Sequence, residues 1–410
     1  MRWHRTALAA SLATSTLLVG CGQKSAAPTT TTVPKNVSIA NHTYVVPPSR
    51  PVPPHGTLVA SKQLDPVLSL GGADRWTVLY RTNGAKGAPT TASGTVLVPH
   101  GPAPEGGWPV VSWAHGTVGV ADRCAPSQSD NLFYNEYAQE ARAFLAAGYA
   151  VVATDYPGLG TPGDHPYLDG RSEGNAVVDI VPAAHQLVDS LARDWFAVGH
   201  SQGGQAVLYA TKVASTRAPD FPLRATVAIA PASHLELLVP TVAAGDSPAD
   251  YVYALYALEG LAAADGRTRL QDLLGPEGIS RMEQITTNGC LMDNYKDFRS
   301  VPADGVFELR PAEMKAVSDG LAAMGNPDQT PVVGPVLVLQ GATDVDVPAG
   351  VTAPMAQHLK DQGADVTYHE YPGRNHDQVL GPSICEQLQF LADHGGRPAT
   401  GCVPYETDLT

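Results

Sequence analysis

The sequence is poor in charge, and positive charge is the scarcer sign. Charged residues make up 16% of the 410 residues, and 26 Lys and Arg face 40 Asp and Glu, which leaves a formal net charge of −14. Nucleic acids and anionic lipid surfaces are bound through clustered Lys and Arg. The balance therefore argues against nucleic acid as a partner and against electrostatic adhesion to a membrane, and a neutral substrate suits this surface best.

The apolar stretch at the N-terminus is too short to span a bilayer comfortably. It runs from Thr6 to Val19 after a basic start and ends in Leu18-Val19-Gly20-Cys21. This pattern predicts a signal peptide over residues 1–20. The segment Leu18–Cys21 resembles the lipobox of bacterial lipoproteins, in which the cysteine carries diacylglycerol. We expect export and a membrane tether through Cys21, and the alternative is a plain secretory signal with an incidental cysteine.

Cysteine is also scarce, and no CxxC motif occurs, so neither a zinc knuckle nor a thioredoxin-like dithiol is indicated. In an exported chain, four cysteines beyond Cys21 predict two disulfides, for which the sequence alone permits three pairings. His, Asp and Glu form no cluster with ligand spacing, so the sequence predicts no metal and no cofactor. The four cysteines are Cys124, Cys290, Cys385 and Cys402.

Glycine and proline are plentiful, at 40 and 35 residues, which favours a loop-rich enzyme over a helical bundle. Residues 21–55 are rich in proline and threonine and are predicted to form an extended linker without a packed core. Beyond the linker, short apolar runs without in/out alternation are typical of strands covered on both faces. The predicted strands are Trp76–Arg81, Thr91–Pro99, Val110–Ala114, Tyr149–Thr154, Trp195–Val198, Ala225–Ala230, Val336–Leu339 and a last strand at Tyr368.

Helical spacing separates these strands, over Asn135–Ala147 and Ser172–Asp194, and the alternation predicts a doubly wound, mostly parallel α/β fold. One interval breaks the rhythm, because residues 232–331 contain no clear buried strand. Two helical patterns occur in this interval, at Tyr251–Ala262 and Glu277–Gln284. We predict a core of residues 56–231 and 332–410, interrupted by a helical cap or lid over 232–331.

The segment Gly199-His200-Ser201-Gln202-Gly203 is a nucleophile elbow of the form G-x-S-x-G. It follows a short apolar strand and precedes a helix, which is the context that this motif requires. The tight turn exposes the serine hydroxyl, and the helix N-terminus stabilises developing negative charge. Ser201 is therefore the predicted nucleophile.

A serine hydroxyl needs a base to take its proton, and on this fold the order along the chain is serine, acid, histidine. Asp344 follows the predicted strand Val336–Leu339, and Asp346 is its rival, less favoured because it lies farther from the strand end. His376 lies in the Gly-containing loop after the last predicted strand. We predict a triad of Ser201, Asp344 and His376.

The oxyanion that forms during acyl transfer needs backbone donors. One is expected from the N–H of Gln202, the residue after the nucleophile. The other is expected from the loop after an early strand, where Thr117 is the first choice and Gly116 the second.

Taken together, three stretches resemble the secretory lipase family: Val111–Ser127, Asp155-Tyr-Pro-Gly-Leu-Gly160 and Gly199–Gly203. The similarity spans about residues 70–405. It implies an α/β-hydrolase core with a helical lid and hydrolysis of acylglycerols or simpler esters. It also implies the disulfides Cys124–Cys290 and Cys385–Cys402.

The substrate implied is a small-molecule or lipid ester, and we expect a monomer. An apolar stripe in the predicted lid either lines an acyl pocket or forms the core of the lid. Two alternatives stay open: a serine peptidase or amidase on the same fold, and an inactive surface binding protein. The stripe consists of Tyr251, Tyr253, Leu255, Tyr256 and Leu258.

Overall fold

A sheet of nine strands forms the centre of the protein in a computed structural model that describes residues 35–39, 42–46, 53–238, 248–298 and 305–407. The predictions for the signal peptide and for Cys21 lie outside the described residues. The strands of the sheet are β3 (Leu58–Leu64), β4 (Asp74–Asn83), β5 (Pro89–Val98), β6 (Trp108–Ala114), β7 (Ala150–Pro157), β8 (Leu191–His200), β9 (Leu223–Ile229), β10 (Val336–Gly341) and β11 (Val366–Tyr371).

The order across the sheet is β11-β10-β9-β8-β6-β7-β5-β4-β3. Six neighbouring strands, from β11 to β7, pair in parallel, and β5, β4 and β3 continue the sheet antiparallel. Parallel strands bring their carboxyl ends to one edge, where ligands bind in open α/β sheets. The predicted elbow and the predicted acid and base all follow such strands, so they meet at that edge.

Helices cover both faces of the sheet, as the doubly wound prediction requires. Alternate strand residues such as Val110 and Val111 point into separate buried clusters on the two faces. Helices α2, α3 and α8 pack on one face, and α1 and α9 pack on the other. These helices are α1 (Asn135–Ala146), α2 (Gly170–His185), α3 (Gln202–Arg217), α8 (Ala349–Asp361) and α9 (Leu380–Asp393).

The chain between β9 and β10 contains helices and no strand among its described residues. Its helices share a third apolar cluster with Tyr167 and Leu168 from the loop before α2. None of the helices among the described residues is both long and apolar enough to cross a membrane. The helices of this insertion are α4 (Pro248–Asp265), α5 (Pro276–Thr287), α6 (Leu291–Phe298) and α7 (Pro311–Gly325).

Two local predictions differ from the structure. The helix predicted to reach Asp194 ends at His185, because Leu191 already pairs with Trp108 in the sheet. Within the predicted linker, β1 (Lys35–Ile39) and β2 (His42–Val46) pair as an antiparallel hairpin. Val37, Val45 and other β-branched residues between the prolines favour this local pairing.

Candidate active site

Ser201 lies at a sharp bend between β8 and α3. Its backbone has φ 57° and ψ −118°, a conformation that an L-residue adopts only under strain. The Ser201 N–H donates to the Ile229 carbonyl at 2.8 Å, and the Ser201 carbonyl accepts from the N–H of Gln205 at 3.1 Å and of Ala232 at 3.2 Å. Three backbone hydrogen bonds therefore hold the strained residue in place.

The glycines on either side of Ser201 are required by close backbone contacts. A Cβ on Gly199 would collide with the Gly203 carbonyl, and a Cβ on Gly203 would collide with the Ala114 carbonyl at the end of β6. Because backbone atoms cannot move aside cheaply, any side chain at either position would displace the elbow from β6.

His376 and Asp344 form a buried hydrogen-bonded pair. His376 Nδ1 lies 2.7 Å from Asp344 Oδ2, and the other carboxylate oxygen accepts from the backbone N–H groups of Asp346 at 2.9 Å and Val347 at 2.8 Å. Gln340 donates to Asp344 Oδ2 at 2.8 Å. The carboxylate is thus held on several sides, whereas the side chain of Asp346 is exposed.

The contact between Asp344 and His376 shifts their two pKa values in opposite directions. Burial alone would raise the pKa of Asp344, but His376 and the hydrogen bonds to the carboxylate outweigh burial and lower it. Burial alone would lower the pKa of His376, but the charge of Asp344 and its hydrogen bond outweigh burial and raise the pKa to about 9. The arrangement therefore favours an imidazolium beside a carboxylate.

His200, inside the elbow, connects the loop after β6 to the loop that carries His376. His200 Nε2 lies 3.0 Å from the His376 carbonyl, and Nδ1 lies 3.0 Å from the Tyr137 hydroxyl. Burial lowers the pKa of His200 to about 4, so the ring is neutral and donates from Nε2 to the carbonyl. The Tyr137 hydroxyl in turn accepts from the Gly116 N–H at 3.0 Å. The Gly116 N–H is therefore engaged.

Two cavities meet at Ser201. The first, of about 240 Å³, has mainly apolar walls that include Leu168, Leu235 and Val351. The second, of about 280 Å³, is lined by His376 and by several polar and aromatic side chains: Thr117, Glu136, Tyr137, Tyr295 and Asp377. Ser201 can thus be approached from two sides, and His376 lines the second of them.

One residue of the predicted acyl stripe lines the cavities, and four do not. Tyr253 borders both cavities. The other four side chains point into the apolar cluster of the insertion, where they are buried, and they border neither of these two cavities. An apolar helical face predicts burial but does not tell which buried surface faces a ligand. The four are Tyr251, Leu255, Tyr256 and Leu258.

Asp155, part of the Asp155-Tyr-Pro-Gly-Leu-Gly160 stretch, supports the fold around the site. Its side chain is fully buried and accepts from the Ser93 hydroxyl at 2.6 Å and from the Ser127 N–H at 2.8 Å. Burial raises the pKa of Asp155 to about 6, although these hydrogen bonds oppose the shift. The residue ties the loop after β6 to β5.

Three residues near the elbow were not singled out by sequence reasoning. His165 and Glu173 contact the Gln202 side chain, and Tyr167 contacts Thr117. His165 and Tyr167 lie in the loop between β7 and α2, and Glu173 lies in the first turn of α2. No motif marks these positions, because the contacts depend on how the loop folds back over the sheet edge.

Folding also brings together two groups of metal-ligating side chains that sequence spacing did not predict. One consists of His200, His376 and Asp377, and the other of Asp344, Asp346 and His376. Both contain His376, whose Nδ1 contacts Asp344. A metal ion in the second group would compete with that contact.

Both disulfides implied by the family resemblance are present. Cys124–Cys290 joins the loop after β6 to the start of α6, which lines the second cavity through Leu291 and Met292. Cys385–Cys402 joins α9 to the C-terminal segment. Disulfides are typical of exported proteins.

The chain matches one family model and two relatives that are named as lipases. The family model described as secretory lipase matches residues 140–394. A probable inactive lipase of Mycobacterium tuberculosis is 28% identical over 79% of this chain and 74% of its own length. A secreted triacylglycerol lipase of Malassezia restricta is 24% identical over 82% of this chain and 74% of its own length.

Two solved structures with the same fold are a lipase and an esterase. Candida antarctica lipase A, in its closed state, superposes with a TM-score of 0.69 at 19% identity, over 87% of this chain and 86% of that chain. A mutant of the rice cell wall degrading esterase LipA from Xanthomonas oryzae superposes with a TM-score of 0.70 at 21% identity, over 83% of this chain and all of that chain. The fold is therefore that of the α/β-hydrolases, and the family and the disulfides indicate an exported ester hydrolase. The chain belongs to the secretory lipase family.

Proposed function

We propose that this protein hydrolyses carboxylic esters through a covalent acyl-enzyme on Ser201. The observation that carries the proposal is the buried His376–Asp344 pair, whose imidazole lines the same cavity as the strained Ser201. With Nδ1 held by Asp344, Nε2 is the nitrogen left to accept the serine proton after side-chain rotation. Asp344 is the acid rather than Asp346, because Asp344 contacts the ring.

The reaction proceeds in two acyl transfers. As Ser201 Oγ bonds to the ester carbonyl carbon, its proton passes to His376 Nε2, and a tetrahedral oxyanion forms. Collapse of this intermediate breaks the bond to the alcohol oxygen, which takes the proton from His376. Water then attacks the acyl-enzyme with the same base, which releases the acid and restores Ser201. Asp344 orients the ring and stabilises its cation.

The oxyanion is stabilised by the backbone N–H groups of Gln202 and Thr117. Gln202 is the first residue of α3, whose N-terminal dipole favours negative charge at this position. Thr117 lines the second cavity beside Ser201. The Gly116 N–H is the weaker candidate because the Tyr137 hydroxyl already accepts from it.

The two cavities suit the two halves of an ester. The leaving alcohol must lie beside His376, which protonates it, and this places the alcohol in the second cavity. The acyl group then extends into the apolar first cavity, whose volume of about 240 Å³ favours a short or medium chain. The helical insertion, residues 232–331, contributes walls to both cavities and acts as the lid.

Covalent labelling tests this proposal directly. A fluorescent alkyl phosphonate should label the wild type at one residue, Ser201, and p-nitrophenyl esters of increasing acyl length should be hydrolysed. Ser201→Ala should abolish both signals while circular dichroism stays unchanged. His369→Ala is a matched control, since His369 lies on the exposed side of β11. A wild type that resists the phosphonate contradicts the proposal, and faster cleavage of aminoacyl amides than of esters would favour a peptidase or amidase.

A second function, binding without catalysis, is favoured by the relative named as a probable inactive lipase. In that case the cavities would hold an ester or acyl ligand that is never cleaved. The serine, acid and base positions are all occupied here by residues that can react, which supports the enzyme over the binding protein. Isothermal titration calorimetry with an ester measures this. An ester that binds and is recovered uncleaved after hours would favour the binding function.

We further propose that the mature protein is monomeric and tethered to the outer face of the cell membrane through a lipid on Cys21. The N-terminal sequence up to Cys21 supports the tether, together with the Pro- and Thr-rich spacer that follows. Radiolabelled fatty acid should be incorporated into the wild type. Cys21→Ser should lose the label, and equal labelling of both proteins would contradict the tether.

A further inference from the structure

Backbone N–H groups stabilise an oxyanion only when their orientation is fixed in advance. The two proposed donors belong to different loops, since Thr117 follows β6 and Gln202 follows β8. A single segment, residues 165–173 at the end of the loop after β7 and in the first turn of α2, contacts the side chains of both. The proposed reaction gives no step to His165, Tyr167 or Glu173 of this segment.

The Gln202 side chain is held by two residues of the segment. Its amide nitrogen donates to Glu173 Oε1 at 2.7 Å and lies 3.1 Å from His165 Nε2. His165 Nδ1 lies 2.9 Å from the Pro157 carbonyl, so Nδ1 carries the hydrogen and Nε2 accepts from Gln202. Glu173 Oε1 also accepts from the Leu168 N–H at 2.9 Å. Both amide protons of Gln202 therefore have buried acceptors.

Burial disfavours the charged form of both residues that hold Gln202. Burial lowers the pKa of His165 to about 4, and burial raises the pKa of Glu173 well above its ordinary value. Glu173 Oε2 has no hydrogen-bond partner among the described residues, and an ionised carboxylate there would be left unpaired. A neutral Glu173 carboxyl beside the Gln202 side chain would add no negative charge to the surroundings of the oxyanion.

The Thr117 loop is held by hydroxyl groups of two tyrosines. The Tyr167 and Thr117 hydroxyls lie 2.6 Å apart, and the Tyr134 hydroxyl donates to the Thr117 carbonyl at 3.1 Å. Tyr167 is buried and stands against His165, with ring centroids 6.1 Å apart. The contacts to Thr117 and to Gln202 therefore belong to one packed unit.

We infer that His165, Tyr167 and Glu173 are positioning residues that set the orientation of both oxyanion donors, Tyr167 through Thr117 and the other two through Gln202. The inference rests on the proposed function. It assigns a catalytic contribution to residues that do not touch the reacting atoms, although Tyr167 also lines the first cavity. Their loss should lower kcat with little change in KM, because the donors act on the transition state more than on the ester.

The first test removes one hydroxyl. Tyr167→Phe should lower kcat about 10-fold, with KM changed less than 2-fold and an equal loss in the rate of phosphonate labelling. Tyr149→Phe is the matched control, because Tyr149 is an equally buried tyrosine whose hydroxyl contacts Arg397 far from Ser201. The control should keep its kcat. In a Thr117→Ala background, Tyr167→Phe should have no further effect, and additive losses would overturn the inference.

The second test separates hydrogen bonding from charge. Glu173→Ala should lower kcat about 10-fold or more, and Glu173→Gln should recover most of the loss because its carbonyl oxygen still accepts from Gln202 and Leu168. Glu140→Ala is the control, since Glu140 is a fully buried acid that contacts Tyr405 instead. Similar kcat values for wild type and Glu173→Ala, or a loss confined to stability and equal in both alanine variants, would overturn the inference.

The two proposals fail in different ways. A wild type without esterase activity or phosphonate labelling overturns the proposed function and this inference together. An active wild type whose Tyr167 and Glu173 variants change only in KM or in thermal stability overturns the inference alone.

Discussion

The strand ends and the helical insertion build the site in different ways. At the strand ends, each reactive group is held by several hydrogen bonds of 2.7–3.2 Å, such as those to Asp344 and to the backbone of Ser201. The insertion contributes walls instead, and its order comes from an apolar cluster that includes Leu255 and Tyr256. Only Tyr253 of its predicted stripe lines the cavities.

Because of this difference, we expect the strand ends to govern the chemical step and the insertion to govern which ester is accepted. Hydrogen bonds depend steeply on distance and angle, so the strand ends fix the geometry on which kcat depends. Apolar packing tolerates changes of shape, so the insertion can alter which ester fits without altering how it is cleaved. Changes at the strand ends should act on kcat, and changes in the insertion on KM and acyl preference.

The largest effect is expected at Asp344. Asp344→Asn should lower kcat about 10⁴-fold at near-constant KM, because the ring loses its orienting carboxylate and the amide stabilises the wrong tautomer. Steady-state kinetics on a short p-nitrophenyl ester measures this. Asp346→Asn is the comparison, with at most a few-fold loss expected. If Asp346→Asn proves the more damaging change, the triad acid has been assigned to the wrong residue.

The two disulfides should differ in their effect on stability. Cys124–Cys290 closes a sequence separation of 166 residues and Cys385–Cys402 one of 17. Replacing both cysteines by serine should lower the free energy of unfolding by about 5 kcal/mol for the first pair and about 3 kcal/mol for the second. Guanidinium titration measures both.

Only the loss of Cys124–Cys290 should also raise KM, because this disulfide anchors the start of α6 beside the second cavity. An unchanged KM in the Cys124 and Cys290 double variant would show that α6 keeps its place without the bond. The Cys385 and Cys402 double variant serves as the control for a general loss of stability.

The activity should rise with pH over the range in which His376 loses its proton. His376 accepts a proton only when neutral, and its pKa is raised to about 9, so kcat/KM should rise as the pH increases from 7 through 9. The same raised pKa stabilises the fold fully below pH 6.5, and this stabilisation fades as pH rises through 9. A pH–rate profile that rises near pH 6.5 instead would show that Asp344 does not raise the pKa of His376.

The smallest effect is expected in the cavity wall. Tyr253→Ala should change kcat/KM about 5-fold, by different amounts for short and long acyl chains, because the ring borders both cavities. Leu255→Ala, two residues away, should instead lower the free energy of unfolding by 2–5 kcal/mol. The panel of p-nitrophenyl esters and a denaturant titration separate the two. Equal loss across all chain lengths would remove Tyr253 from the specificity determinants.

Sequence patterns predicted the elements that follow local rules. The eight predicted strands and the helix at α1 correspond to observed elements, because buried strands and amphipathic helices leave periodic patterns. The pattern failed at residues 191–194, the partly exposed start of β8, which it assigned to the preceding helix. It also missed the hairpin Lys35–Val46, because proline content dominated the interpretation of that segment.

What the sequence by itself determined is the order of chemical types along the chain: a serine at a glycine-flanked bend, then acids and a histidine after later strands. The parallel sheet converts that order into proximity. Only the tertiary structure decided that Asp344 rather than Asp346 contacts His376, that Gly116 is already engaged, and that residues 165–173 bridge Thr117 and Gln202. These are side-chain contacts between distant segments, and their distances follow from packing, which no local pattern encodes.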